Sequence, residues 1–376
     1  MTVKIAVPAE TGAHEKRVAM VPAVVPRVAK LGTALRVQQG AGNPSRIDDT
    51  LYQEVELAAD AAATVDGAQI VLRVAISSPE EVQALPEGCV LFSFVYPTRQ
   101  PEIVEALKAR KITCFAMELV PRTTRAQAMD ALSSQAALAG YYGALLGATK
   151  LSRLLPMVTF AVGSIRPAKV LVMGAGVAGL QAIATARRLG AIVEGYDVRS
   201  AVKEQVESLG AKFVDTGVKA EGEGGYAREL TDEEKAQAQQ VLTKHIQSAD
   251  IVITTAAIPG RPSPKIVSEE QISGMKPGAV IIDLAGDGGG NTPLSQPGEE
   301  VDTHGVLIVT PLNVPSRLAE HASELYAKNL LNFLELIVKE GELDLNFDDD
   351  IVAGACLTHA GEIRHEATKK ALGQGD

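Results

Sequence analysis

Lys169-Val170-Leu171-Val172-Met173-Gly174-Ala175-Gly176-Val177-Ala178-Gly179 decides how this chain is read. The first five residues form an apolar strand, and the alanine-rich stretch 180–189 that leaves the turn forms a helix. Gly174 permits the tight turn, Gly176 lets backbone approach a pyrophosphate, and Gly179 allows helix and sheet to pack closely. The start of the helix offers free N–H groups and a positive dipole end to phosphate. Glycines at this spacing are a weak signal alone, but a strand entering and a helix leaving complete the context. The next strand, 192–196, runs into Asp197, about twenty residues beyond the turn. A carboxylate there accepts ribose hydroxyls and repels a 2′-phosphate, which favours NAD over NADP. Arg199 pulls against that preference, but an Asp at the strand end ordinarily decides it.

Working outward, further apolar runs at 251–255, 280–284 and 307–310 continue the same sheet, with proline or glycine at nearly every junction. An earlier series, at 5–7, 35–38, 70–74, 90–94 and 113–117, alternates with amphipathic stretches such as 24–31 and 103–111. Strands alternating with helices predict an α/β fold of parallel sheets covered on both faces. At 376 residues the chain is too long for one average domain. We expect two Rossmann-like, doubly wound domains with a cleft between them. The first is discontinuous, 1–135 plus 315–376, because a long helix at 318–339 and a short acidic β-like tail return to it. The second, 136–314, carries the glycine turn.

A net charge of −10 without any basic run argues against nucleic acid. Cys89, Cys114 and Cys356 are scattered and odd in number, so they read as buried thiols in a reducing compartment. His14, His245, His304, His321, His359 and His365 show no ligand spacing, and no metal site is expected. The opening Val3-Lys4-Ile5-Ala6-Val7-Pro8 reads as a strand and not as a signal peptide. Residues 131–149 hold no charge beyond their first turn, yet their Ala, Gly, Ser and Gln content suits a buried helix better than a bilayer span. Glu221-Gly222-Glu223-Gly224-Gly225-Tyr226 reads as a mobile loop with an aromatic at its tip, either a closing flap or an ordinary insertion.

A second polar cluster, 121–135, holds Arg122, Gln127, Asp130 and Ser133 where the first sheet hands over to the uncharged helix. Asp130 and Ser133, three apart at a helix start, fit an N-cap. The same residues fit a polar clamp on a nicotinamide carboxamide, and spacing alone leaves both open.

The stretch 122–135, the turn 174–181, Asp197-Val198-Arg199 with Lys203-Glu204-Gln205-Val206, and Gly224-Gly225-Tyr226-Ala227 together carry a resemblance. Ala257-Ile258-Pro259-Gly260 and Asn313-Val314-Pro315-Ser316-Arg317 add to it. Over residues 4–362 the chain resembles the NAD(H)-binding component, domain I, of the proton-translocating NAD(P) transhydrogenases. That family shares its fold with alanine dehydrogenase. The resemblance implies that Arg122, Gln127, Asp130 and Ser133 orient the nicotinamide and that Tyr226 tips a loop closing over bound nucleotide. It implies further nucleotide contacts at Val177, Asp197, Val198, Arg199, Gly225 and Ala257. It also implies NAD(H) bound here, NADP(H) on a partner subunit, a membrane proton-channel subunit, and a homodimer. The chain ends at Asp376 without membrane helices, so it is expected to be cytoplasmic and peripheral to the inner membrane through its partners.

Two other functions stand beside this one. An alanine dehydrogenase needs an Arg, a Lys, a His and an Asp to bind a carboxylate and move the accompanying proton. Arg17 and Asp287 stand at two of those positions, but Ala75 and Tyr96 occupy the Lys and His positions, so amino-acid dehydrogenation is disfavoured. A non-catalytic NAD-sensing subunit is the other. Direct hydride transfer between two nicotinamides leaves no proton for a side chain to carry, which agrees with those losses.

Overall fold

The apolar run at 169–173 becomes the strand Lys169–Met173, buried from Val170 onward because strands pair with both its edges. In this computed structural model, which describes residues 2–218, 230–258 and 260–373, that strand lies third in a seven-stranded sheet. The order across the sheet is Lys212–Phe213, Ile192–Tyr196, Lys169–Met173, Ile251–Thr254, Val280–Asp283, Val306–Val309 and Glu300–Thr303. Only Glu300–Thr303 pairs antiparallel. Chain order therefore reverses beside Lys169–Met173, the switch point at which doubly wound sheets take ligands.

Alternate residues of each strand feed opposite faces. Val170, Val172, Ile253 and Ile282 pack with Ala182, Ile183 and Ala186 of the helix Val177–Arg188. Leu171, Val252 and Ile281 pack with Leu242 and Ile246 of the helix Asp232–Ser248.

A second sheet, eight-stranded, repeats the same winding. Its order is Glu362–Ile363, Cys356–His359, Thr113–Ala116, Val90–Phe94, Ile70–Ala75, Lys4–Val7, Ala34–Gln38 and Glu56–Ala58. The strands from Lys4–Val7 to Thr113–Ala116 are parallel, and Cys356–His359 adds antiparallel to Thr113–Ala116. Two parallel-dominated, doubly wound sheets are what the alternating apolar runs predict. The helix Ala319–Ile337 covers one face with Tyr326, Leu330, Phe333 and Leu334. Phe333 meets Phe92 at 5.1 Å and Phe115 at 5.0 Å between ring centroids, a contact set whose truncation costs roughly 3–5 kcal/mol.

By its internal contacts the chain forms two units, Met1–Gln135 with Pro315–Asp376, and Ala136–Val314. The uncharged stretch forms the helix Ala131–Lys150. It is half-buried along most of its length, not enclosed as expected, and Tyr141 is exposed. Its glycines allow close packing within the second unit, since a Cβ on Gly140 would stand 1.9 Å from the Ala178 carbonyl oxygen. Among the described residues, no helix is long and apolar enough to cross a membrane.

Several short strands escape the sequence pattern. Glu56–Ala58, Lys212–Phe213 and Glu300–Thr303 are edge strands with exposed positions, so they lack the continuous apolar signal. The pair Val158–Phe160 and Gly163–Ile165 forms an isolated antiparallel hairpin.

Candidate dinucleotide site

Gly174 follows the strand Lys169–Met173 with a φ of 99°, a left-handed conformation that glycine adopts without strain. A Cβ there would meet Thr255 Oγ1 at 2.5 Å. The requirement at Gly179 is stricter, because its Cβ would lie 1.8 Å from the Gly174 carbonyl oxygen. At Gly176, by contrast, a Cβ would meet nothing within 4 Å, so the turn faces open space there. Gly176 caps the helix Val177–Arg188 without any side-chain hydrogen bond. The first-turn N–H groups are thus left for an incoming acceptor, as an anion site requires. Val177, the first helical residue, is 43 % exposed.

Asp197 lies just past the neighbouring strand Ile192–Tyr196, and its carboxylate is shared between the turn and Arg199. Its Oδ2 accepts from the Ala175 N–H at 2.8 Å. Its Oδ1 accepts from the Arg199 backbone N–H and Nε, each at 2.9 Å, and Arg199 Nη2 reaches Oδ2 at 2.8 Å. Burial pushes this carboxyl up, but the Arg199 guanidinium and the two backbone N–H groups outweigh it and hold it below the usual Asp range. Asp197 is therefore an anion that already has a cation beside it. Val198 is partly buried against the apolar cluster on the far face of the sheet. Together the uncapped helix start, the open space at Gly176 and the Asp197 carboxylate fit a dinucleotide's pyrophosphate and ribose.

Opposite the turn, Thr255 Oγ1 donates to the Gly174 carbonyl at 3.1 Å, tying the segment 255–257 to the glycine loop. Ala257 itself is exposed. Neither Thr255 nor the buried Asn291, which bonds to Ala256, is anticipated from sequence. The only hint is an isolated Asn after Gly288-Gly289-Gly290. Gly225 and Tyr226, and Pro259 in the stretch after Ala257, lie outside the described residues.

The other polar cluster belongs to the first unit. Asp130 Oδ1 accepts from the Ser133 N–H at 2.9 Å, and Oδ2 accepts from Ser133 Oγ at 2.6 Å. This is the N-cap arrangement, so the structural role that spacing permits is present. Arg122 and Gln127 are exposed, Gln127 opening the short 3-10 turn Gln127–Met129. Asp130 and Ser133 touch each other, and Gln127 joins them through its carbonyl, which accepts from the Asp130 N–H at 3.3 Å.

Two family models match this chain, "Alanine dehydrogenase/PNT, N-terminal domain" over residues 6–139 and "Alanine dehydrogenase/PNT, C-terminal domain" over residues 143–366. An NAD(P) transhydrogenase subunit alpha chain of Rhodospirillum rubrum is 48% identical, covering 99% of this chain and 100% of that protein. The chain belongs to the alanine dehydrogenase/transhydrogenase family. A crystal structure of transhydrogenase from Sinorhizobium meliloti superposes with a TM-score of 0.87 at 44% identity, covering 96% of this chain and 99% of that one. Identity to the alanine dehydrogenase of Halomonas elongata drops to 28%, over 98% of this chain and 97% of that protein. Within the alanine dehydrogenase/transhydrogenase family the chain is thus an NAD(P) transhydrogenase subunit alpha in kind.

The dehydrogenase positions behave accordingly. Arg17 is buried, with Nε and Nη2 on the Glu15 carboxylate at 2.8 and 2.6 Å and Nη1 on Gln135 at 2.9 Å. Ala75 ends its strand with no titratable group, and Tyr96 has a left-handed φ of 51°. Asp287 is exposed and accepts from the Asn313 N–H at 3.2 Å. Among the described residues, no group of three or more His, Cys, Asp or Glu could hold a metal ion. Burial raises the thiols of Cys89 and Cys356 to about 12, which leaves them unreactive.

Proposed function

We propose that this chain is the NAD(H)-binding subunit of a proton-translocating transhydrogenase. Hydride passes from NADH held here to NADP⁺ held on a partner subunit, giving NAD⁺ and NADPH, while a separate membrane subunit couples the transfer to proton movement. The observation that carries this is the uncapped helix start at Gly176 beside the Asp197 carboxylate, in a chain of the transhydrogenase branch.

When bound, the dihydronicotinamide supplies the hydride. The protein's residues hold, orient and exclude water. Gly174, Gly176, Val177 and Gly179 would take the pyrophosphate on backbone N–H groups, and Asp197 the adenine-side ribose hydroxyls, with Val198, Arg199, Gly225 and Ala257 adding contacts. Arg122, Gln127, Asp130 and Ser133 would orient the nicotinamide, and Tyr226 would close over it. No side chain has to move a proton, which agrees with Ala75 and Tyr96 where a dehydrogenase needs Lys and His.

A homodimer is part of the proposal. The hairpin Val158–Phe160/Gly163–Ile165 and its approach leave Met157, Phe160 and Val162 exposed at 68, 51 and 98 %. Apolar side chains clustered at this exposure support a protein interface. The subunit would sit on the cytoplasmic side of the inner membrane through its partners.

Stopped-flow transfer from NADH to an NADP⁺ analogue, with and without the NADP(H)-binding subunit, tests the assignment. Transfer should need that subunit. Reduction of NAD⁺ by L-alanine without it would instead make the chain an amino-acid dehydrogenase. Binding of NADH with partner-supported transfer unchanged by Gln127→Ala or Tyr226→Ala would favour a sensing role.

A further inference from the structure

The segment facing the glycine turn is held by a side chain that belongs to neither. Asn291 is fully buried, past the strand Val280–Asp283. Its Nδ2 donates to the Ala256 carbonyl at 2.7 Å and to the Pro264 carbonyl at 2.8 Å, while its Oδ1 accepts from the Ala256 N–H at 3.1 Å. One planar amide thus grips both backbone groups of Ala256, as a paired strand would. Among protein side chains, only Asn and Gln present donor and acceptor in one such neutral amide group.

Asn291 is itself fixed. Its N–H donates to Asp283 Oδ2 at 2.6 Å, and its carbonyl accepts from the N–H groups of Ile266 at 2.8 Å and Val267 at 3.2 Å. Asp283, also fully buried, accepts in addition from Ser295 Oγ, Thr254 Oγ1 and the Ala285 N–H, at 2.5, 3.0 and 3.1 Å. This network spends polar groups at the carboxyl ends of two adjacent strands, beside the switch point. A core built only for stability has no need of them there, because buried polar networks contribute little net stability and leave costly orphans when broken.

Building on the reading that the dinucleotide lies at these strand ends, we propose that Asn291 is a positioning residue for hydride transfer. It fixes the Ala256–Ala257 backbone as the wall of the site opposite the glycine turn. A shift of that wall displaces the bound dinucleotide, and misplacement of about 1 Å can cost on the order of a hundredfold in rate.

The test uses the full chain with its NADP(H)-binding partner. Asn291→Ala and the isosteric Asn291→Asp, which cannot donate to either carbonyl, are compared with wild type in three measurements. These are NADH affinity, single-turnover transfer at saturating NADH, and thermal midpoint. Gln271→Ala is the control, since Gln271 is buried in the same unit with its amide on Thr243 Oγ1 at 3.0 Å, away from both loops in sequence. The expected result is transfer slowed at least tenfold at saturating NADH in both Asn291 variants, with affinity reduced several-fold. Gln271→Ala should melt earlier yet transfer at the wild-type rate. Should Asn291→Ala fail to fold, Asn291→Asp carries the comparison. Folded Asn291 variants that transfer like wild type overturn the inference while leaving the proposed function intact. A wild-type chain that binds no dinucleotide overturns both.

Discussion

The two sheets share one winding and treat their switch points in opposite ways. In the second unit the strand Lys169–Met173 ends in glycines, and the backbone N–H groups beyond are left open. In the first, the equivalent strand Lys4–Val7 is followed by Glu10, whose side chain is only 4 % exposed. Glu10 accepts from the N–H groups of Val74 at 2.7 Å and Ala75 at 3.3 Å, with Arg73 beside it at 3.5 Å. Farther along the same edge, Glu118 accepts from the N–H groups of Val95, at 3.1 Å, and Tyr96. The first sheet fills with its own carboxylates the places where the second leaves donors for a ligand's phosphate. A doubly wound sheet supplies anion-binding backbone in either case. The side chain after the strand decides whether that capacity is spent internally or offered.

The largest break in this contrast should come from Gly179→Ala. Its Cβ cannot coexist with the Gly174 carbonyl at 1.8 Å, so the turn must open. NADH affinity should fall at least a hundredfold, measured by fluorescence titration of the full chain. Retention of wild-type affinity would mean that the turn is not the site.

The plugged sheet should respond next, through pH. Burial raises Glu10 and Glu118 from 4.5 to about 7, against the pull of Arg73 on Glu10 and of backbone N–H groups on both. The folded chain therefore binds more protons than the unfolded chain between pH 4.5 and about 7. Stability from these groups falls as pH rises through that window, by about 3 kcal/mol each when complete. Glu118→Gln should remove its share of the slope, gaining stability relative to wild type at pH 8 and not at pH 4. Denaturant midpoints at the two pH values check this, and parallel curves for variant and wild type would refute it.

The smallest effect is a matter of specificity. Asp197→Asn keeps the shape but releases Arg199 from its anion. NADH binding should weaken roughly tenfold, about 1.4 kcal/mol, and NADPH binding should weaken less or improve. A titration with both nucleotides sharpens the point, since equal losses for the two would remove Asp197 from nucleotide choice.

Much of this was legible in the sequence, because apolar runs at parallel-sheet spacing and a glycine turn between strand and helix have direct physical causes. The plugs were not. A lone Glu after a strand, as in Pro8-Ala9-Glu10, reads as a solvated loop until the fold brings Val74 and Ala75 against it. Edge strands such as Lys212–Phe213 were hidden because half their residues face water. Asn291 was hidden because its partners, Ala256 and Pro264, lie far off in sequence and offer only backbone. At Asp130 and Ser133 the sequence left a cap and a clamp equally open, and the cap is present while the clamp remains proposed.

The covering helix Ala319–Ile337 also bears on the order of events during synthesis. Phe92 and Phe115 leave the ribosome early, but Phe333, which closes over them, emerges only after the whole second unit. At roughly 5–20 residues per second, that aromatic face stays uncovered for on the order of ten seconds or more. The later-made unit, being continuous, can finish first, and the first-made waits for its lid. The nascent first sheet is therefore the part of this chain most exposed to aggregation and most in need of a chaperone.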